Sequence, residues 1–128
     1  MSKQLVLLVE DAADTLSLLK LMLESEGFSV VAATNGAQAV ELLASVRPDI
    51  IMTDLMLPQL DGLGLIQFVR SSQEMSQIPI LALSAFGEDQ LARAEELGAN
   101  VVLRKIEDMH RLMPTLRSLA RAPSRPPE

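Results

Sequence analysis

Five short apolar runs, separated by longer amphipathic stretches, constrain this chain more than any other feature of its sequence. The runs are Leu5–Val9, Phe28–Ala33, Ile50–Met52, Ile80–Leu83 and Val101–Leu103. Each has the length of a strand. Four of them lack polar/apolar alternation, as parallel strands do when both faces are covered, whereas Phe28-Ser29-Val30 reads as an edge. Between them, Ala12–Glu26 places Leu16, Leu19 and Leu23 on one helical stripe, and Ala37–Ser45, Leu63–Ser71 and Gln90–Leu97 are helical patterns too. A last helix carries Met109, Leu112, Leu116 and Leu119. Gly27 and Gly98 follow the first and fourth helices as C-terminal caps. Parallel strands need crossovers, and crossovers are right-handed, so strict alternation predicts an α/β doubly wound sheet of five parallel strands with five helices.

Two proline features qualify the end of the chain. Pro114 lies within the last helical pattern, where a proline removes a hydrogen bond and clashes with the carbonyl four residues back, so that helix is expected to start late or kink. Residues 122–128 include Pro123, Pro126 and Pro127 and have little to bury. The expected division is therefore a domain over 1–121 and a frayed tail over 122–128.

A length of 128 residues suits one domain with a real core. With three Phe and no Trp or Tyr, aliphatic and Met side chains must fill it. The absence of Cys excludes disulfides and thiolate metal sites and fits a reducing compartment. No apolar stretch approaches the ~20 residues of a membrane span, and Ser2-Lys3-Gln4 leads into a strand without a signal-peptide pattern. The chain reads as cytoplasmic, with no membrane partner. Its formal charge of −6 argues against a direct nucleic-acid surface, which needs a basic stripe. That charge is uneven: residues 1–103 carry five Lys/Arg against fourteen Asp/Glu, and residues 104–128 carry six against three. The basic end is either a solvated helix face or a docking surface.

Ligands of open α/β sheets sit beyond the carboxyl ends of the strands, so those ends hold the candidate chemistry. The first strand ends in Glu10-Asp11 and the third in Asp54. If these strands are neighbours, three carboxylates share one crevice, and their repulsion calls for a cation. Hard oxygen donors without His or Cys suit Mg²⁺, which keeps several waters and leaves room for a phosphate. The fourth strand ends at Ser84, a hydroxyl donor, and the fifth is followed by Lys105, a point charge. A carboxylate nucleophile, a divalent cation, a hydroxyl and an ammonium are what phosphoryl transfer needs: positioning, and neutralisation of the equatorial oxygens.

Val9-Glu10-Asp11, Asp54-Leu55-Met56-Leu57-Pro58 with Asp61-Gly62, Ser84-Ala85, and Gly98-Ala99 leading to Lys105 together resemble the response-regulator receiver domains, over residues 4 to about 120. The resemblance implies a three-layer flavodoxin-like fold with strand order 2-1-3-4-5. It implies a single-domain response regulator in which Asp54 accepts a phosphoryl group from a phosphohistidine on a sensor histidine kinase or histidine phosphotransfer protein. Asp54, Asp11 and the Met56 backbone carbonyl would ligate Mg²⁺ (or Mn²⁺), with Glu10 acting directly or through water. Lys105 would pair with the carboxylate and then the phosphoryl group, and Ser84 would move to a phosphoryl oxygen. The face made by the fourth helix, fifth strand and fifth helix would change as a result. A downstream protein not named by the sequence would read that face, which is also where a homodimer would form.

Some positions depart from the family. Val102 stands where an aromatic switch residue is usual, three before the lysine. Ile106 follows the lysine in place of a cis proline, so a trans peptide is expected. Met56 and Phe86 are apolar where the family tunes loss of the phosphoryl group, and neither can orient a water, which predicts slow self-dephosphorylation. A phosphohydrolase with an aspartyl-phosphate intermediate needs a general acid beside the nucleophile; families of that kind place a second Asp two residues on, where this chain has Met56, so a switch rather than an enzyme is expected. A phosphorylation-independent docking scaffold is the alternative that Val102 and Ile106 keep open. His110 lacks metal-ligating companions and reads as a surface residue. Gly62-Leu63-Gly64 has Gln67 where a dinucleotide fingerprint requires its third glycine.

Overall fold

The computed structural model describes residues 3–57, 59–85 and 88–121. Strands β1 (Leu5–Val9), β2 (Ser29–Ala33), β3 (Ile50–Asp54), β4 (Ile80–Ser84) and β5 (Val101–Arg104) form one parallel sheet in the order β2-β1-β3-β4-β5. They alternate with helices α1 (Ala13–Ser25), α2 (Gly36–Leu43), α3 (Gly62–Ser71), α4 (Glu88–Leu97) and α5 (Leu112–Arg121). This is the three-layer, doubly wound α/β fold expected from the sequence, in the flavodoxin-like order.

The sheet separates two cores. Successive side chains of a strand point to opposite faces. Leu7, Val9, Ile51, Ile80 and Ala82 accordingly pack with Leu43, Leu65, Ile66, Val69 and Ala94 from α2, α3 and α4. Val6, Leu8, Ile50, Met52, Leu81 and Leu83 pack with Leu19 and Leu23 of α1 and Leu112 and Leu116 of α5. Both faces of β1, β3 and β4 are therefore apolar, which is why their runs show no alternation. Each such Leu or Ile contributes about 1.5–3 kcal/mol by leaving water.

β5 is the second edge strand, yet both of its faces are covered as its apolar run suggests: Val102 packs against one core, and Val101 and Leu103 against the other, with Leu103 fully buried and the two valines partly so. An apolar run does not reveal whether a strand has one neighbour or two. β2, read as an edge, is one.

Local chemistry sets the element ends. Asn35 caps α2, its Oδ1 accepting the Gln38 N–H at 2.7 Å, so the helix begins at Gly36 and ends at Leu43, short of Ser45. Gly27 (φ +97°) and Gly98 (φ +119°) terminate α1 and α4 in the left-handed region, as their sequence positions suggest. α5 does start late. A 3-10 turn over Met109–Arg111 precedes it, and Pro114 falls in its first turn, where backbone N–H groups have no intrahelical partner in any case. The expected tail over 122–128 lies outside the described residues.

Arg70 ties the far side of the sheet together. From α3 its guanidinium donates to the carbonyls of Gly98 at 2.9 Å, Ser76 at 3.0 Å and Ile78 at 2.7 Å, and to Asn100 Oδ1 at 2.8 Å. Asn100 Oδ1 also accepts the Ile80 N–H at 2.8 Å, so one side chain joins α3, the end of α4 and the starts of β4 and β5. Partial burial lowers the Arg70 pKa from its ordinary value. Lysine cannot present several donors in a planar fork, so Arg70→Lys is expected to cost about 2 kcal/mol of stability, measured by urea denaturation.

Candidate functional site

Register decides what meets at the carboxyl ends of the strands. Val9 is level with Thr53, and Asp54 with Leu83, so Glu10, directly after β1, comes beside Asp54, the last residue of β3. Ser84 ends β4 level with Arg104, and the Lys105 N–H donates to the Ser84 carbonyl at 2.8 Å, which extends the ladder by one residue and delivers the lysine to the same edge.

Lys105 Nζ lies 2.6 Å from Asp54 Oδ2 and 2.9 Å from Glu10 Oε1. Glu10 and Asp54 are buried, whereas Asp11 is exposed at the mouth. A ligand oxygen from each of these three carboxylates falls within 4.8 Å of the others. The Met56 N–H donates to Asp54 Oδ1 at 3.0 Å, and the Ala12 N–H to Glu10 Oε2 at 3.2 Å, so neither buried carboxylate turns freely. Ser84 is buried at the same edge.

Burial raises the Glu10 pKa above its ordinary value. Hydrogen bonds from Lys105 and Ala12 pull it back without cancelling the rise, and the charge of Asp54 adds to it. Burial opposes the charge of Lys105, but the bonds to Asp54 and Glu10 outweigh it and hold the ammonium above its ordinary pKa. One ammonium thus faces three carboxylates drawn into a small volume. A divalent cation with oxygen ligands fits that excess of negative charge and that donor set.

The backbone behind Asp54 explains the Asp61-Gly62 pair. Asp61 Oδ1 accepts the Gly64 N–H at 2.8 Å and caps α3, which aims the helix start at the β3 end. A Cβ on Gly62 would lie 2.4 Å from the Asp54 carbonyl oxygen and 2.7 Å from Leu55 Cα, so only glycine lets α3 pass this close.

The predicted residues Glu10, Asp11, Asp54, Ser84 and Lys105 thus converge on one edge. The Met56 side chain is half exposed on the rim, and Phe86 lies outside the described residues. Every peptide bond among the described residues is trans, Lys105–Ile106 included, as expected without proline. Val102 is partly buried on edge strand β5. Two features escaped the sequence reading: Glu10 as a direct partner of Lys105, and Asp108, which grips the lysine-bearing loop. An aspartate shortly after a strand end is a turn-former by chemistry, and that was the available signal for Asp108.

A family model for the response regulator receiver domain matches residues 6–117. The DNA-binding dual master transcriptional regulator RpaA of Synechocystis is 32% identical over 124 residues, 96% of this chain and 52% of RpaA. The polar-differentiation response regulator DivK of Brucella anthropi is 28% identical over 116 residues, 88% of this chain and 93% of DivK. This chain therefore spans about half the length of the first relative and nearly all of the second. Among solved structures, the receiver domain of a sensor histidine kinase from Pseudomonas aeruginosa, with a magnesium ion coordinated in its active-site cleft, matches with a TM-score of 0.84. Its sequence is 30% identical, and the match covers 94% of this chain and all of that one.

Proposed function

The chain belongs to the response regulator receiver domain family, and from that premise we propose that it is a phosphorelay switch whose phosphoryl acceptor is Asp54. The observation that carries this reading is the pair of bonds from Lys105 Nζ to Asp54 and Glu10, with Asp11 at the mouth. Receiver domains are phosphoacceptor switches rather than enzymes, and this pocket suits that role. An Asp54 oxygen attacks the phosphorus of a phosphohistidine, the P–N bond breaks, and the histidine keeps the electron pair and takes a proton.

Glu10, Asp11, Asp54 and the Met56 carbonyl would hold Mg²⁺, or Mn²⁺, which supplies positive charge to the phosphoryl oxygens when bound. Lys105 holds the Asp54 carboxylate in place at rest and afterwards pairs with the phosphoryl oxygens. Ser84 donates its hydroxyl to one of those oxygens, drawing the loop before α4 with it. The face formed by α4, β5 and α5 then presents a changed surface to a protein partner or a second copy of the chain. With Val102 in place of an aromatic, movement of that loop carries the change. The apolar Met56 on the rim orients no water, which favours slow self-dephosphorylation.

The donor would be a sensor histidine kinase or a histidine phosphotransfer protein in the cytoplasm. No helix among the described residues is long and apolar enough to cross a membrane. The net charge of −6 favours a protein readout over direct nucleic-acid contact.

Incubation with acetyl phosphate and Mg²⁺, followed by intact-mass measurement and peptide mapping, is expected to add one phosphoryl group at Asp54, with none added when Mg²⁺ is chelated. Absence of label under both conditions would overturn the proposal and leave a phosphorylation-independent docking scaffold. A pH dependence follows from Glu10. Its raised pKa means that it keeps its proton to a higher pH than an ordinary carboxylate, and a proton there competes with the cation. Mg²⁺ affinity is therefore expected to go on rising with pH above the range in which ordinary carboxylates have already lost their protons. NMR titration at several pH values checks this, and Glu10→Gln is expected to flatten the profile.

A further inference from the structure

We propose that Asp108 is a positioning residue for Lys105, clasping a strained turn that would otherwise let the lysine leave the pocket. The role given to Lys105 rests on the phosphoryl-acceptor reading above, whereas the clasp itself is a property of the resting protein.

Beyond β5 the chain makes an abrupt turn. Ile106 has φ +74°, and the Glu107 N–H donates to the Lys105 carbonyl at 2.9 Å, which closes a three-residue γ-turn around Ile106. The positive-φ form of this turn is rare and strained. A β-branched side chain is among those least able to adopt it. Ile106 is also 87% exposed, so packing of its side chain does little to hold it there.

Asp108 supplies the restraint from the other side of the turn. Its Oδ2 accepts the Arg104 backbone N–H at 2.9 Å and Arg104 Nε at 3.2 Å, while its own N–H donates to the Arg104 carbonyl at 3.0 Å. Both backbone polar groups of Arg104 are thus held by one residue, and the loop over 104–108 is closed at its base. Arg111 adds an ion pair to Asp108 at 3.9 Å. The Arg104 side chain is half exposed, so its ion pair is weak in water, and the two backbone bonds carry the restraint. Lys105 lies between the clasped residue and the strained one. Opening the turn relieves Ile106 but moves Lys105 away from the Ser84 carbonyl, Asp54 and Glu10. Asp108 touches no reacting atom and acts only through the lysine.

Amide hydrogen exchange on the full chain, without phosphodonor, tests the clasp. Asp108→Ala is expected to speed exchange of the Lys105 amide on the order of tenfold while central β1 and β3 amides are unchanged. Asp108→Asn keeps an acceptor for the Arg104 N–H and is expected to retain most protection. Adding Ile106→Gly to Asp108→Ala is expected to restore protection, because glycine adopts this φ without strain. Ile106→Gly alone should slow exchange, since the clasp then holds a relaxed turn. With acetyl phosphate, Asp108→Ala should label more slowly at unchanged Mg²⁺ affinity, and the double variant should recover.

Unchanged Lys105 protection in Asp108→Ala, or no recovery on adding Ile106→Gly, overturns the proposal. A wild-type chain that never accepts label overturns the phosphoryl reading alone, because the exchange comparison is decided in the resting protein.

Discussion

Asp54→Asn is expected to abolish labelling by acetyl phosphate and Mg²⁺, lowering incorporation by at least about a thousandfold, as loss of a covalent nucleophile does. Asparagine has nearly the same shape, and its carbonyl oxygen can still accept a hydrogen bond from the Met56 N–H or from Lys105. What it lacks is the anionic oxygen that attacks phosphorus. Glu10 is bonded in the same way, one oxygen to Lys105 and the other to the Ala12 N–H, but it is the more deeply buried of the two, 1% exposed against 5% for Asp54. Asp11 is exposed but has no comparable lysine contact among the described residues. Residual label on either would show that the pocket does not select Asp54, and the acceptor assignment would fail. Folding should survive, since the variant removes one of three mutually repelling carboxylates. A Tm at or above that of the wild type, with no label, is the full expected result.

The second large effect concerns the sheet that presents these groups. Ile51 sits in the middle strand, level with Leu7 of β1 and Ile80 of β4, and is fully buried. Ile51→Ala is expected to lose about 3–4 kcal/mol, from lost transfer energy plus a cavity that neighbouring strands cannot close. A domain of this kind has only about 5–15 kcal/mol in all. Leu21→Ala, on α1 where the side chain is 66% exposed, is expected to change stability by no more than about 0.5 kcal/mol. Urea denaturation of both variants checks the contrast. A loss below about 1 kcal/mol for Ile51→Ala would mean that β3 is not packed on both faces as described.

Much of the site was legible because its residues stand at strand ends, where the chain itself announces them. Val9-Glu10-Asp11, Asp54 after an apolar run, Ser84 and Lys105 each follow a recognisable strand, and a parallel sheet gathers such ends along one edge. The order in which the strands lie was legible only through family resemblance, since periodicity says that a strand is covered and not what covers it. β5 shows the limit: its apolar run hides that it has one neighbour.

Local pattern thus determined the five strands, the five helices, the late start of α5 at Pro114 and the set of polar residues offered to the cleft. Each of these is encoded within a few consecutive residues, through periodicity, capping and ring sterics. Tertiary structure alone decided that Lys105 would meet Glu10 and Asp54, 95 and 51 residues away, because that contact depends on strand order and register. It also decided that Gly62 must pass against the Asp54 carbonyl. Those contacts exist only after packing has chosen which segments lie side by side, and no window of neighbouring residues contains that choice.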